Sequence, residues 1–334
     1  MRAVGIVAVL ALLGAAPCAA QPAPDQGARI AVWDVPQIDM LPDNAQGRLA
    51  RLGRSIVEET QAHIGPDAPD AAERFAGNNL ACGNCHLHAG VKKFGLPLVA
   101  AAPDFPAYSA RTGAQIDLVE RVNSCMTRSM NGRPMPADAK PMEALVAYLT
   151  TLSKHLPEDA RVAGAGAGHM RELDRAADPV AGERVFLAKC AECHGRGGEG
   201  VRRNTADMRF GYGVPPLWGP DSFNDGAGMA RLITAANFVH NNMPNGTDWL
   251  MPVLSVDESW DVAAFLVSRP RPHKPGLERD FPDLLTKPVD AAYGPYADGL
   301  PMDQHKYGPF APIRTAIARL KAERGVIENP NAPR

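Results

Sequence analysis

The sequence is poor in aromatic residues, carries almost no net charge and has only one long apolar run. Phe, Trp and Tyr make up 6% of its 334 residues, so a large aromatic core is not available. The formal net charge of −2 argues against a strongly basic surface for nucleic acid. Glycine and proline, by contrast, number 31 each, which favours short helices joined by long, irregular loops.

The one long apolar run lies at the N-terminus. Arg2 supplies a positive charge, residues 3–16 are apolar or glycine, and a small-residue cleavage site ends at Ala20. This layout predicts a signal peptide over residues 1–20 and therefore export. A lipoprotein signal at Cys18 is the weaker alternative, because a proline precedes it. No other stretch approaches the ~18 apolar residues of a membrane helix, so we expect no membrane span.

Four of the remaining five cysteines form two copies of one pattern, CGNCH at residues 82–86 and CAECH at residues 190–194. Two thiols three residues apart on a helical turn reach both vinyl groups of a haem, and the next histidine points at the iron. The sequence therefore predicts two covalently bound haems c. Structural disulfides are the alternative in an exported protein. Haem c is attached outside the bacterial inner membrane, which agrees with export and predicts a periplasmic protein.

The residues predicted to hold the haems are Cys82, Cys85 and His86 in the first motif and Cys190, Cys193 and His194 in the second.

The chain repeats one plan twice, which predicts a mainly α protein with two cytochrome c-like haem domains in tandem. In each unit a helix precedes the haem motif, and a long loop, a helix and a closing helix follow it. The predicted units are an N-terminal domain over residues 21–160, a Gly/Ala linker without packing side chains over 161–168, a C-terminal domain over 169–280 and a proline-rich strap over 281–334. The predicted helices cover residues 43–63, 115–130, 142–156, 178–190, 228–241, 257–268 and 313–324.

Each haem iron needs a second axial ligand or an open site. At the second haem Met243 follows one helix and precedes the closing helix, and a thioether in that place favours electron transfer. The alternatives are three other methionines and a histidine: Met208, Met229, Met251 and His240.

At the first haem the corresponding segment contains Cys125, the odd cysteine of the chain. Arg121, Arg128 and Arg133 lie near it in sequence, and positive charge favours a thiolate, which can ligate ferric iron. We therefore predict a functional thiolate. The alternatives are a buried, inert thiol and a methionine ligand, either Met126 or Met130.

Several segments set this chain apart from single-haem electron carriers: FAGNNLACGNCHLHAGVKKFGLPL (75–98), ERVNSCMTRSMNGRPMP (120–136), GVPPLWGPDSFNDGAGM (213–229), NNMPNG (241–246), AYGPYADG (292–299) and QHKYGPF (304–310). Through them nearly the whole mature chain resembles the dihaem thiosulfate dehydrogenases. The resemblance implies a periplasmic enzyme that couples two thiosulfates into tetrathionate. It also implies that two electrons pass to an external cytochrome or similar redox protein.

The resemblance further implies the roles of single residues. His86 and Cys125 would be the axial ligands of the first haem, and Cys125 would also take part in catalysis. The residues implied to hold substrate are Arg111, Arg121 and Ser129. Some relatives have a lysine, able to replace the methionine ligand, where this chain has Asn242. A plain pair of His194 and Met243 is therefore expected at the second haem.

Elementary electrostatics supports clustered arginines in such a site. Thiosulfate is a dianion, and each pair of unit charges at ~4 Å repels by about 4 kcal/mol at an effective dielectric constant of 20. Guanidinium groups offset this repulsion because they bind oxyanions in a planar fork.

Three other classes compete with this interpretation. A dihaem electron carrier needs no thiol at the first haem, and a dihaem peroxidase needs a releasable histidine that this segment lacks. The same fold acting as a tetrathionate reductase, or on another sulfur compound, stays open. Basic residues that would form a docking face for the electron acceptor, if they are not simply solvated, are Lys189, Arg196, Arg202 and Arg203.

Overall fold

The structure is a computed structural model that describes residues 30–31, 34–156 and 161–325. The predicted signal peptide and the end of the predicted strap lie outside the described residues. Helices dominate these ranges, as predicted, and the strands pair only two by two. Within the described residues, no helix is both long enough and apolar enough to cross a membrane.

The N-terminal unit has five helices in the described ranges: α1 (Ala45–Glu58), α2 (Thr60–Ile64), α3 (Leu87–Gly90), α4 (Leu118–Met126) and α5 (Lys140–Leu152). Strand β1 (Ile30–Ala31) pairs in parallel with β4 (Arg161–Val162). Strands β2 (Ala107–Ser109) and β3 (Ala114–Ile116) form an antiparallel hairpin.

The C-terminal unit contributes α6 (Pro179–Lys189), α7 (Ala191–His194), α8 (Leu232–Asn242) and α9 (Val256–Ser268). The short strands β5 (Val201–Arg202) and β6 (Tyr212–Val214) pair antiparallel. The predicted strap adds α10 (Met302–Tyr307) and α11 (Ala311–Glu323).

The two units share one helix crossing. In the first, α1 crosses α5 at Gly53, where a Cβ atom would collide with the carbonyl oxygen of Ala144. In the second, α6 crosses α9 at Gly182, where a Cβ atom would collide with the carbonyl oxygen of Asp261. Because only glycine permits these approaches, each unit brings its first helix directly onto its closing helix. The sequence repeat is thus a structural repeat.

Several predicted helix bounds were wrong. The 43–63 helix is interrupted at Glu59, and its N-cap is Asn44, whose side chain accepts from the backbone N–H of Gly47 at 2.9 Å. The 115–130 helix is shorter at both ends, because β3 occupies its start and a turn follows Met126. The 142–156 helix ends at Leu152, before Pro157. The helix predicted to begin at residue 228 starts with a 3-10 turn.

The other helix predictions agree closely. Asp178 caps α6 through a hydrogen bond from the backbone N–H of Val180 at 2.8 Å. Helices α9 and α11 begin and end within two residues of their predicted bounds.

The Gly/Ala segment is packed, contrary to our prediction. Val162 and Ala167 are buried. The carbonyl of Gly164 accepts a hydrogen bond from the N–H of Phe94 at 2.7 Å, and the carbonyl of Ala167 accepts one from the Asn241 amide at 2.7 Å. Small residues here allow close backbone contact with both units.

The predicted strap is also more than a surface segment. Phe310 and Ile313 are buried in a hydrophobic cluster with Leu232 and Trp260 of the C-terminal unit. At its other end the N–H of Phe281 donates to a carbonyl of the N-terminal unit, at Arg111, over 2.8 Å. The strap therefore completes one core and closes over the other unit.

Candidate haem centres and anion site

Both CxxCH motifs fold into the same turn. In each, the N–H of the second cysteine donates to the carbonyl of the first at 3.2 Å, and the N–H of the histidine donates to that carbonyl at 2.9 Å. The two motifs therefore share the backbone conformation that carries the two thiols and the imidazole.

Each motif histidine is fixed by a backbone carbonyl. Nδ1 of His86 lies 2.5 Å from the carbonyl oxygen of Leu96, and Nδ1 of His194 lies 2.9 Å from that of Pro215. Burial lowers the pKa of both imidazoles, which favours the neutral form. A neutral imidazole with Nδ1 engaged keeps Nε2 for a metal.

The cysteines fit covalent haem attachment. All five cysteines within the described ranges are free, so the disulfide alternative is wrong. Burial raises the pKa of Cys82 to about 11 and that of Cys85 to about 12, so both stay protonated thiols before attachment. Free thiols, an oriented histidine and a fixed turn are the donor set that a c-type haem requires.

At the first centre α4 places Arg121 one helical turn before Cys125. Nη1 of Arg121 donates to Sγ of Cys125 at 3.0 Å. The pKa of Arg121 is raised, chiefly by the charge of Cys125. The same groups act on the haem motif: after burial, the charge of Arg121 contributes to the lowered pKa of His86, and that of Cys125 to the raised pKa of Cys85. Cys125 therefore lies close to the first motif.

The other two neighbouring arginines do not crowd around Cys125, contrary to our expectation. Arg128 is buried in an ion pair with Asp280, with Nη2 to Oδ1 at 2.7 Å, and also donates to the carbonyl of Gly226 at 3.2 Å. Arg133 stacks on Phe75, 4.1 Å from the ring centroid. Proximity to Cys125 in the sequence therefore did not predict which arginine side chains contact it.

The C-terminal unit holds the turn that follows Cys125. The Asn224 amide donates to the carbonyl of Thr127 at 3.0 Å, and its N–H donates to the carbonyl of Arg128 at 3.2 Å. The Asn78 amide joins the carbonyls of Ser129 and Ser222 at 3.0 and 3.2 Å. We call residues 222–226 and 280–293, the second range being the end of the C-terminal domain and the start of the strap, the polar wall.

Of the residues implied to hold substrate, Arg121 contacts Cys125 directly. Arg111 lies beside Phe281, and Ser129 lies four residues after Cys125. Ser129 is half-buried in the turn held by the polar wall. Arg111 is half-buried after the β2 strand, 5.6 Å from the Phe281 ring centroid. Burial lowers the pKa of Arg111, and the charge of Arg128 lowers it further. Sequence reasoning missed Asn224, since no local pattern marks its long-range contact.

At the second centre Met243 follows α8 directly. It packs, together with Cys190, against a buried cluster that contains Phe186, Trp218 and Phe265. The rings of Phe186 and Trp218 lie 5.1 Å apart, centroid to centroid. This shared packing places Met243 near the second motif, which supports the proposed ligand.

The alternative ligands at this centre are less well placed. Met251 is 79% exposed, and Met229 packs against the neighbouring cluster around Trp260. Nδ1 of His240 lies 3.1 Å from Oγ of Ser259. Met208 is half-buried in a 3-10 turn between β5 and β6.

The basic residues considered for a docking face differ in their surroundings. Arg202 pairs with Asp221 at 3.2 Å and stacks on Tyr212, and Arg203 lies 4.0 Å from Glu59. Lys189 and Arg196 are exposed beside the second haem motif. Of these four residues, only Lys189 and Arg196 remain candidates for an open cationic docking face.

The repeated fold and the paired motifs define a protein with two cytochrome c domains in tandem. Residues 72–157 match the family described as SoxA/TsdA, cytochrome c domain. Residues 177–266 match the family described as cytochrome C oxidase, cbb3-type, subunit III.

Relatives extend the likeness across both domains. The chain is 41% identical over 242 residues to a thiosulfate dehydrogenase of Allochromatium vinosum, covering 71% of this chain and 84% of the relative. It is 37% identical over 261 residues to one of Thiomonas intermedia, covering 78% of each. A solved structure of thiosulfate dehydrogenase (TsdBA) from Marichromatium purpuratum in its as-isolated form superposes with a TM-score of 0.65 at 32% identity. That match covers 72% of this chain and 50% of the other. The chain belongs to the thiosulfate dehydrogenase family.

Proposed function

We propose that this protein carries two covalently bound haems c in the periplasm and oxidises thiosulfate to tetrathionate. Two thiosulfates form one S–S bond between their outer sulfur atoms, and each gives up one electron. The two electrons leave to an external c-type cytochrome or a similar redox protein, and no proton or leaving group is released. The observation that carries the proposal is the contact between Arg121 and Cys125 beside the first haem motif. The names and substrate of the relatives support it.

The chain's own residues divide the work between two centres. When bound, the haems supply one-electron redox chemistry at each centre. His86 and Cys125 would hold the first iron, and His194 and Met243 the second. Arg121 stabilises negative charge on Sγ of Cys125, because a guanidinium donor favours the thiolate. Arg111 provides a second cationic group for the oxyanion end of substrate.

The arrangement of charge at the first centre supports catalysis there rather than electron transfer alone. A carrier needs no cation aimed at a ligand thiolate, and among the described residues no arginine donates to a sulfur atom at the second centre. The half-buried Ser129 lies in the turn that follows Cys125, and its hydroxyl is a further candidate to orient substrate.

A ferricyanide-coupled assay of the purified protein tests this function, with thiosulfate, sulfite and tetrathionate offered separately. We expect ferricyanide reduction with thiosulfate alone, and one tetrathionate formed for each pair of thiosulfates consumed. A pyridine haemochrome measured on the same sample should correspond to two haems c per chain. Tetrathionate consumption with a reduced dye, without thiosulfate oxidation, would favour the reductase. Inactivity with every substrate would favour an electron carrier.

A further inference from the structure

The cationic side chain of Arg111 lies beside Phe281 of the strap. Its backbone carbonyl accepts from Phe281, and its guanidinium lies 5.6 Å from the ring centroid of that residue. Within the described ranges the guanidinium makes no hydrogen bond or ion pair. The charge of Arg111 is therefore held in place by the strap without being neutralised by it.

Most cations around Arg111 are matched by buried carboxylates. Arg128 pairs with Asp280, which also accepts a hydrogen bond from the Tyr293 hydroxyl at 2.8 Å. Arg231 of the C-terminal unit pairs with Asp290 at 2.8 Å. These pairs leave little net charge of their own, so the excess positive charge lies elsewhere.

Lys274 is another cation whose charge acts on the same region as that of Arg111. Its backbone N–H donates to Asp225 at 2.8 Å, which fixes the start of its side chain. The side chain then meets Arg128 over Gly226: a Cβ atom on that glycine would lie 2.7 Å from Nη1 of Arg128 and 3.1 Å from Cδ of Lys274. In the described part of the chain, no hydrogen bond or ion pair involves the Lys274 ammonium.

The surroundings of Lys274 disfavour its positive charge. Burial lowers its pKa first, then the charge of Arg128, and the charge of Arg111 lowers it as well, against the opposite effect of Asp280. Arg279 has the same effect, and a half-buried ammonium that is repelled by three guanidinium groups gains most from an incoming anion. A multivalent oxyanion suits such a place, because it meets several donors at once.

We propose that Arg111 and Lys274 form a second anion position, which holds the oxyanion end of one thiosulfate while Arg121 and Cys125 serve the other. The proposal rests on the proposed function. Two dianions that must approach each other require two cationic positions. Arg121 beside Cys125 is one, and Arg111 with Lys274, whose charges act on each other, would be the second. Lys274 belongs to the C-terminal half of the chain, so the second position is incomplete without that half.

The test compares Lys274→Gln and Lys274→Met with Lys274→Arg, which keeps the charge, and with Lys140→Gln, a control on an exposed lysine at the start of α5. Initial rates against thiosulfate concentration separate KM from kcat. Isothermal titration calorimetry of tetrathionate with the fully oxidised haem-loaded protein measures binding without turnover.

Loss of one charge-assisted contact should raise KM for thiosulfate, and the Kd of tetrathionate, by about tenfold to a hundredfold in Lys274→Gln and Lys274→Met. The kcat should stay within about threefold, since Cys125 is untouched and a contact shared by ground state and transition state acts on KM. Lys274→Arg should recover most of the loss, and Lys140→Gln should match the wild type.

Equal KM and Kd values in Lys274→Gln and Lys140→Gln would overturn the second anion position, as would a wild type that binds no tetrathionate. A wild type that binds tetrathionate but does not oxidise thiosulfate would contradict the proposed function instead. In that case the calorimetry still decides the role of Lys274.

Discussion

The two haem regions are built on the same turn and differ in what faces it. Around the first, a thiol, arginines and the polar wall meet, and residues from both halves of the chain take part. Around the second, Met243 packs with Phe186, Trp218 and Phe265. One region thus offers charge that could bind an anion, and the other an apolar setting for the thioether ligand proposed at Met243.

This difference indicates how one fold serves two tasks. The helix crossings at Gly53 and Gly182 and the haem-attaching turns are repeated, so they report on haem binding alone. Function must therefore be inferred from the part that is not repeated, which is helix α4, the turn that follows it and the residues that contact them. The following predictions test whether chemistry belongs to the first region only.

The largest effect is expected from Cys125→Gly. Both haems should remain attached, because attachment needs only the CxxCH motifs, while thiosulfate oxidation should fall by at least about a thousandfold, as for other groups that act directly in the reaction. The assay is ferricyanide reduction, with a pyridine haemochrome and an absorption spectrum recorded on the same sample.

Two outcomes of the Cys125→Gly experiment need separation. Wild-type activity would mean that the thiolate is not catalytic and that the first region is misassigned. Loss of haem along with activity would show instead that Cys125 is needed for a stable haem site, so the rate is interpreted only at full haem content.

Asp280→Ala should have the largest effect on stability. It leaves the buried guanidinium of Arg128 without its partner, and breaking a buried ion pair from one side costs about 3–5 kcal/mol in the free energy of unfolding. Guanidinium chloride unfolding of the haem-loaded protein measures this. Asp257→Ala is the matched control, since its pairs with Arg171 and Arg175 are exposed and should contribute at most about 1 kcal/mol.

The double variant Arg128→Ala with Asp280→Ala sharpens the result. Because both charges are then absent, its destabilisation should be smaller than the sum of the two single effects. Simple additivity would mean that the pair contributes nothing as a pair, and that the polar wall is not held together by it.

The parts of this molecule that the sequence predicted are those with local signals. The haem motifs, the Asp178 cap and the order of the helices depend on residues a few positions apart. The Arg128–Asp280 pair joins residues 152 positions apart, and no periodicity marks it. The same limit explains the 115–130 helix, where strand pairing between β2 and β3 overrides a helical pattern.

A smaller effect is expected at Asn242, which links the two regions. Its amide donates to the carbonyls of Phe94 and Phe238 at 2.9 and 3.0 Å, and Phe94 lies two residues before the carbonyl that orients His86. Asn242→Ala should therefore cost about 1–3 kcal/mol in the free energy of unfolding through two lost hydrogen bonds.

Catalysis should stay nearly intact in Asn242→Ala, and the potential of the second haem should be the redox property that changes. Thermal unfolding and a spectroelectrochemical titration measure the two effects, with the exposed Asn245→Ala as control. A loss of turnover as large as that of Cys125→Gly would contradict the division of labour between the regions.

The smallest effect is a pH dependence that arises in the strap. Lys287 is buried between the Tyr293 and Tyr296 rings and donates to the carbonyl of Pro295 at 3.0 Å. Burial lowers its pKa to about 8, whereas the unfolded chain has a value of about 10.4. Between these values the unfolded state binds more protons, so this lysine makes stability rise with pH, and below about pH 8 its full burial cost is present.

The stability difference between wild type and Lys287→Met should therefore shift in favour of the wild type from about pH 7 to about pH 9.5, as measured by unfolding midpoints. Lys140→Met, an exposed control, should show no such shift. A flat difference for Lys287→Met as well would mean that the strap leaves this ammonium solvated and closes less tightly over the first region than its packing indicates.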